Sequence, residues 1–268
     1  MDSKIAAAIA LKYRPVAVIR ADERPETAIQ FKKGKWGCVM FMFANAARGK
    51  TAAFDAETYG CWGGGVGLGF GNAYLDFPGG ADCFAHFLSS GNNQWEKGRQ
   101  VAVGVEQNAG KEFAEDFLEG ERYVKNPELV KQWIDELPIK EAESRYVLFT
   151  PLDQIDPDHE TPATVVMVAN ADQISALVIL ANYARQGMEN VIIPWAAGCQ
   201  TIGLLPFREG QSEKPRAVVG LTDISARKYV RKLLGAEYLS FAMPWPLFLE
   251  MEANVEGSFL ERPPWVGL

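Results

Sequence analysis

The chain has 268 residues, 48% of them apolar and 23% charged, which are ordinary values for a globular protein with a sizeable core. A net charge of −7, with only short basic clusters such as Lys32-Lys33-Gly34-Lys35 and Arg227-Lys228, argues against broad binding to nucleic acid or anionic membrane. No apolar run approaches the roughly 20 residues that span a bilayer, and Met1-Asp2-Ser3-Lys4 does not open a secretory leader, so a cytoplasmic protein is expected.

Asp2 and Ser3 offer caps for an Ala-rich helix to about Leu11, and Pro15 to Arg20 reads as a buried strand. Trp36 to Arg48 is apolar nearly all round and fits an internal helix closed by Gly49, with Cys38 near its start. Ala52 to Phe54 is a short strand. Then comes Gly60-Cys61-Trp62-Gly63-Gly64-Gly65-Val66-Gly67-Leu68-Gly69-Phe70-Gly71, seven glycines in twelve residues. Glycine that dense predicts a loop rather than a helix or strand, kept for positive φ or close approach. Backbone N–H groups around Cys61 in such a loop suit a thiolate, a cluster sulfide or a bound anion.

Tyr74 to Phe77 reads as extended, and Asp82 caps a helix through Leu88 that places Cys83 and His86 three apart on one face. Core packing is the plainer account of that Phe-rich pair. From Asn92 to Ser144 the chain reads as a helical connection, with helices at Lys111 to Leu118 and, after Asn126-Pro127, at Glu128 to Leu137. Strands follow at Tyr146 to Phe149 and Thr164 to Val168, then a helix from Asp172 to Arg185 and a strand from Val191 to Trp195. Ala196-Ala197-Gly198-Cys199 is a second glycine–cysteine loop. Arg216 to Leu221 is a strand running into a helix capped by Thr222 or Asp223 and closed by Gly235, with Arg227 one turn inside, where an anion would be held. That is equally the ordinary anatomy of an α/β unit. Glu237 to Phe241 and a helix from Leu247 to Glu252 complete the chain.

Ala44-Asn45-Ala46-Ala47-Arg48-Gly49 leads through eleven residues to Cys61, and Ala181-Asn182-Tyr183-Ala184-Arg185-Gln186-Gly187 leads through eleven to Cys199. We read this as an internal duplication. It predicts an α/β (or α+β) fold of two related halves, 1–91 and 145–268, joined by 92–144, with Cys61 and Cys199 facing each other.

The Cys38 helix, the Gly60–Cys61 segment, Phe77-Pro78-Gly79-Gly80, Phe87-Leu88-Ser89-Ser90-Gly91 and Ala197-Gly198-Cys199 together resemble the domain-of-unknown-function 169 family, a prokaryotic family. The resemblance covers most of the chain and implies that Cys38, Cys61 and Cys199 belong to the family pattern, Cys83 less so. It carries no reaction with it.

Four cysteines far apart in sequence match no zinc-finger or ferredoxin spacing, so any shared site must be assembled by the fold. The leading expectation is that Cys38, Cys61 and Cys199, with Cys83 as a fourth, bind an iron–sulfur cluster or, alternatively, zinc. Its rival is a cofactor-free small-molecule enzyme or binding protein whose anion pocket uses Gly60, Gly63, Gly64, Gly65, Gly198 and Arg227. A third is an interaction module, a homo-oligomer joined through Trp62, Trp195, Trp245 and Trp265. A small-molecule ligand or a redox partner is the expected company, with no nucleic acid and no membrane.

Overall fold

The computed structural model describes residues 1–141 and 143–265. The chain forms two compact units, Met1–Phe70 with Glu141–Leu268, and Gly71–Lys140. The helices in chain order are α1 (Lys4–Ala8), α2 (Val39–Ala46), α3 (Trp62–Leu68), α4 (Ala81–Leu88), α5 (Glu96–Ala109), α6 (Lys111–Glu119), α7 (Pro127–Glu136), α8 (Ala171–Asn182), α9 (Gly198–Ile202), α10 (Leu204–Glu209), α11 (Ile224–Leu234) and α12 (Trp245–Ala253). The strands are β1 (Val16–Ala21), β2 (Ala52–Phe54), β3 (Tyr146–Pro151), β4 (Thr164–Ala169), β5 (Val191–Ile192), β6 (Ala217–Gly220) and β7 (Leu239–Pro244).

The larger unit is a mixed α/β fold around one seven-stranded sheet of order β2-β3-β1-β4-β7-β6-β5. Among the described strands β5 and β6 pair in parallel and the other pairs are antiparallel. Both faces of β3 and β4 are buried, which is why Tyr146 to Phe149 and Thr164 to Val168 read as continuous apolar runs rather than alternating ones. One face carries Ala17, Ile19, Leu148, Val165, Met167, Phe241 and Met243 and packs against α1, α8 and α12. The buried Glu252 of α12 accepts hydrogen bonds from the Ser3 hydroxyl and the Lys4 and Ile5 N–H groups, so a carboxylate holds the N-terminus of α1. Opposite lies the face that supports α2, α3, α9 and α10. There Phe43 of α2 meets Phe149 edge-on at 6.1 Å, and Thr201 of α9 sits on Gly220 so closely that a Cβ there would fall 2.0 Å from its hydroxyl oxygen.

The structure corrects the reading of the glycine-rich stretch. Trp62–Leu68 is helical, with four glycines inside it. Cys61 caps its start by accepting from the Gly64 N–H at 3.3 Å, and Gly69 closes it in the left-handed region at φ 86°. Glycine inside a helix costs about 0.5–1 kcal/mol against alanine, so contacts elsewhere must offset it. A Cβ on Gly67 would fall 2.7 Å from the carbonyl carbon of Cys199, and one on Gly203 would fall 2.3 Å from the Gly67 oxygen. The glycines admit a neighbouring backbone; they do not loosen a loop.

Nor does the structure show the internal duplication. The proposed counterparts α2 and α8 lie on opposite faces of the sheet, whereas α3 and α9 pack together. Val191 to Trp195 is strand only over Val191–Ile192. No helix among the described residues is long and apolar enough to cross a membrane.

The smaller unit is helical, α4 to α7. Residues expected to be extended, Tyr74 to Phe77, instead fall largely in a 3-10 turn over Ala73–Asp76, because Tyr74 turns inward to stack on Phe84 at 4.0 Å. Asn92, fully buried, donates to the carbonyls of Cys83 and Phe117 and accepts from the Trp95 indole N–H, tying α4, α6 and the start of α5.

The two roles of glycine separate by mutation. Gly67→Ala is expected to destabilise the larger unit by about 1–3 kcal/mol through overpacking. Gly104→Ala, exposed in α5 with nothing within 4 Å of the new methyl, is expected to stabilise its helix by up to about 1 kcal/mol. Urea denaturation of the two variants against wild type reads both signs.

A candidate thiol site at converging helix starts

Each of Cys38, Cys61 and Cys199 stands at the start of a helix. Cys38 is the N-cap of α2 in extended backbone, Cys61 is the N-cap of α3, and Cys199 lies in the first turn of α9. A fourth start joins them. Asp223, the N-cap of α11, accepts from the Ser225 and Ala226 N–H groups at 2.9 and 3.3 Å through one oxygen, and from the Gly198 N–H at 3.3 Å through the other. One carboxylate thus pins the first turns of α9 and α11 together.

Glycines let these ends approach. A Cβ on Gly64 would fall 2.6 Å from a Val39 methyl, and one on Gly198 would fall 2.9 Å from Met40 and 3.2 Å from Ala226. Gly60, at φ 82°, presses against the Gly37 carbonyl, where a Cβ would sit at 2.3 Å. The Gly63 carbonyl accepts the Cys199 thiol at 2.9 Å, and the Gly65 carbonyl accepts from Phe70 N–H at 2.8 Å. The glycines named in the sequence as an anion cradle therefore act mainly in packing and in main-chain hydrogen bonds.

The electrostatics follow from this crowding. Burial pushes the Cys38 thiol up to about 12, and the charge of Cys61 adds to it; short-range N–H groups of Phe41 and Met40 oppose the shift. Cys61 is also pushed up by burial, opposed by the N–H groups of Gly64 and Val39. Cys199 stands well above an ordinary thiol, through burial first and then the charges of Cys61, Cys38 and Asp223. Asp223 is itself raised by burial. The three thiols and the carboxylate thus lie within electrostatic reach of one another, and each disfavours ionisation of the next. At neutral pH the cysteines are protonated, which does not suit an activated nucleophile. Among the described residues, no three His, Cys, Asp or Glu side chains form a group that could hold a metal ion.

The other nominated residues serve elsewhere. Cys83 belongs to the helical unit, buried, with its sulfur against Gly79. His86 lies stacked on Trp95 at 4.6 Å, and burial holds its imidazole below the ordinary range. Arg227 donates to the carbonyls of Leu221 and Tyr238, both at 3.0 Å, and to that of Ala236. Those bonds hold the turn before Asp223, where Leu221 is a buried non-glycine residue at φ 59°. Both terminal nitrogens of Arg227 thus serve to position the turn. Of the nominated tryptophans, Trp245 stacks on Phe248 at 5.4 Å against the core, while Trp195 and Trp265 are exposed. Asp223 was legible in the sequence only as a helix cap; nothing local marks it as a neighbour of three cysteines.

Raised thiol pKa values make stability depend on pH with a definite sign. The folded protein keeps protons that the unfolded chain releases, so the contribution is complete below the ordinary value of 9.0 and is lost as pH rises towards about 12. For Cys38 the loss amounts to at most about 4 kcal/mol. Urea midpoints of metal-free protein between pH 8 and 11 are expected to fall with pH, and to fall less steeply in Cys38→Ser.

No curated protein and no solved structure matches the chain. Residues 4–254 match the family described as uncharacterised ArCR, domain of unknown function 169, and the protein belongs to that family.

Proposed function

We propose that Cys38, Cys61 and Cys199, with Asp223 beside them, bind an iron–sulfur cluster or another thiophilic metal centre, and that the protein has a redox or metal-assisted role. The observation that carries this reading is the gathering of three thiols and a carboxylate at four helix starts, where burial and the charge of Asp223 raise all three thiols. Such a set holds its protons because burial disfavours the thiolates. A soft metal displaces those protons as it binds. The N–H groups of Gly64 and Val39 that face Cys61 would then donate to thiolate or sulfide, and the first-turn dipoles would favour the added negative charge.

Cluster chemistry fits better than a single ion. Two thiolates on one zinc at ~2.3 Å bonds lie roughly 3.8 Å apart, and no group of three ligands among the described residues has a spacing suited to one ion. In a polynuclear cluster each thiolate binds a different iron, which spreads the sulfurs. Three thiolates would leave one iron to Asp223 or to a substrate. Arg227 directs both terminal nitrogens to the carbonyls of Leu221, Ala236 and Tyr238, which favours a structural part for it over the rival anion pocket.

Protein purified without oxygen is expected to contain iron and acid-labile sulfide and to absorb broadly near ~400 nm. Cys38→Ser, Cys61→Ser and Cys199→Ser should each lose most of the iron, while Cys83→Ser keeps it. A colourless protein that binds neither iron nor zinc after anaerobic reconstitution would refute the reading.

A further inference from the structure

Two stretches free of acidic residues meet beside the thiol site. Residues 30–54 and α11 contain no Asp or Glu, although the chain has 34 of them. The Trp36 ring lies 5.4 Å from that of Tyr229 and joins the two stretches. Lys35 precedes Trp36, and Lys232 stands one turn beyond Tyr229 on the same side of α11. Lys33 pairs with Glu57, whereas Lys32, Lys35, Arg231 and Lys232 are exposed and form no ion pair among the described residues. An excess of positive charge therefore gathers here on a chain of net charge −7.

Large apolar groups share this surface. Trp36 is 53% exposed and Ile224, which follows Asp223, is 66% exposed, with Phe41 and Tyr229 also open to solvent. The same residues border the cysteines. Trp36 is two residues from Cys38, and the Phe41 N–H acts on the Cys38 thiol. The Phe31 ring packs against Gly37 and Gly60, where added Cβ atoms would fall 2.2 and 2.7 Å from it, so the turn bearing Lys32 and Lys35 lies against the residue before Cys61. Exposed aromatic and aliphatic groups bordered by charge have the anatomy of a protein interface rather than of a small-molecule pocket.

We propose that this surface docks a small acidic protein, an electron carrier that serves the centre at Cys38, Cys61 and Cys199. The carrier's part rests on the reading of that centre as a redox cluster; the docking rests on the surface alone. One electron passes from the carrier's reduced cofactor to the cluster, and no bond is made or broken. A second copy of this chain fits less well, because a two-fold contact would set the lysines of one face against those of the other. Nucleic acid and anionic membrane extend beyond the patch onto a chain that is acidic overall.

The test is an NMR titration of the full chain with a small acidic ferredoxin, following the tryptophan indole N–H signals. The Trp36 signal is expected to move saturably at low ionic strength and to lose most of its shift at high ionic strength. Lys35→Glu and Trp36→Ala should each weaken binding at least several-fold while melting at the wild-type temperature. Lys214→Glu, the same charge change on an exposed residue at the other end of β6 from α11, should bind nearly as wild type. In iron-loaded protein, reduction by the reduced ferredoxin, followed by visible absorption, should slow by the same factor in Lys35→Glu with the iron content unchanged. Docking that Lys35→Glu weakens, seen with or without iron, supports the surface whatever the cysteines hold. Absence of a saturating shift, a Lys35→Glu protein that binds like wild type, self-association that covers Trp36, or equal binding to phosphatidylglycerol vesicles would overturn the proposal.

Discussion

The contact on which the candidate thiol site depends is that of two backbones, α3 against α9. Side chains ordinarily hold helix axes 8–10 Å apart. Here Gly67 lies under the carbonyl carbon of Cys199, Gly203 lies against the Gly67 oxygen, and the Cys199 thiol donates to the Gly63 carbonyl. A methyl group at position 67 or 203 forces the two helices apart. The helix therefore tolerates four weak helix formers, because tertiary contact rather than propensity decides its stability.

From that contact the arrangement of charge follows. Bringing α3 onto α9 sets Cys61 and Cys199 near one another; packing α2 beside α11 and against α9 brings Cys38 and Asp223 to the same place. First-turn N–H groups of these helices face Cys38, Cys61 and Asp223. Yet the side chains there are three thiols and a carboxylate, held neutral or opposed by burial. Burial and mutual repulsion thus outweigh the N–H groups at these helix starts and hold the thiols in their protonated form.

Arg227 and Arg20 show how the same residue type takes different parts in one fold. Arg227 spends its donors on the carbonyls around the Leu221 turn and so fixes where Asp223 stands. Arg20 instead brings its guanidinium carbon to 4.3 Å from the centre of the Phe207 ring, a cation–π contact.

The sequence by itself determined the elements whose signals are local. β2 and α11 begin where propensity and caps place them, Asn126-Pro127 opens α7, and Gly235 closes α11, because capping and apolar periodicity act within a few residues. It also singled out Cys38, Cys61 and Cys199, from the glycines beside two of them, the helix around the third, and the family resemblance. It misread the glycine-rich stretch as a loop, since glycine density alone cannot distinguish backbone freedom from the close approach of another chain segment. It marked Arg227 by its place one turn inside a helix, but not the carbonyls of Leu221, Ala236 and Tyr238 to which it donates, because those partners are set by the fold. Those matters only the tertiary structure decided: which glycine faces a neighbouring backbone, which arginine has acceptors, and that Asp223 stands with three cysteines drawn from distant segments.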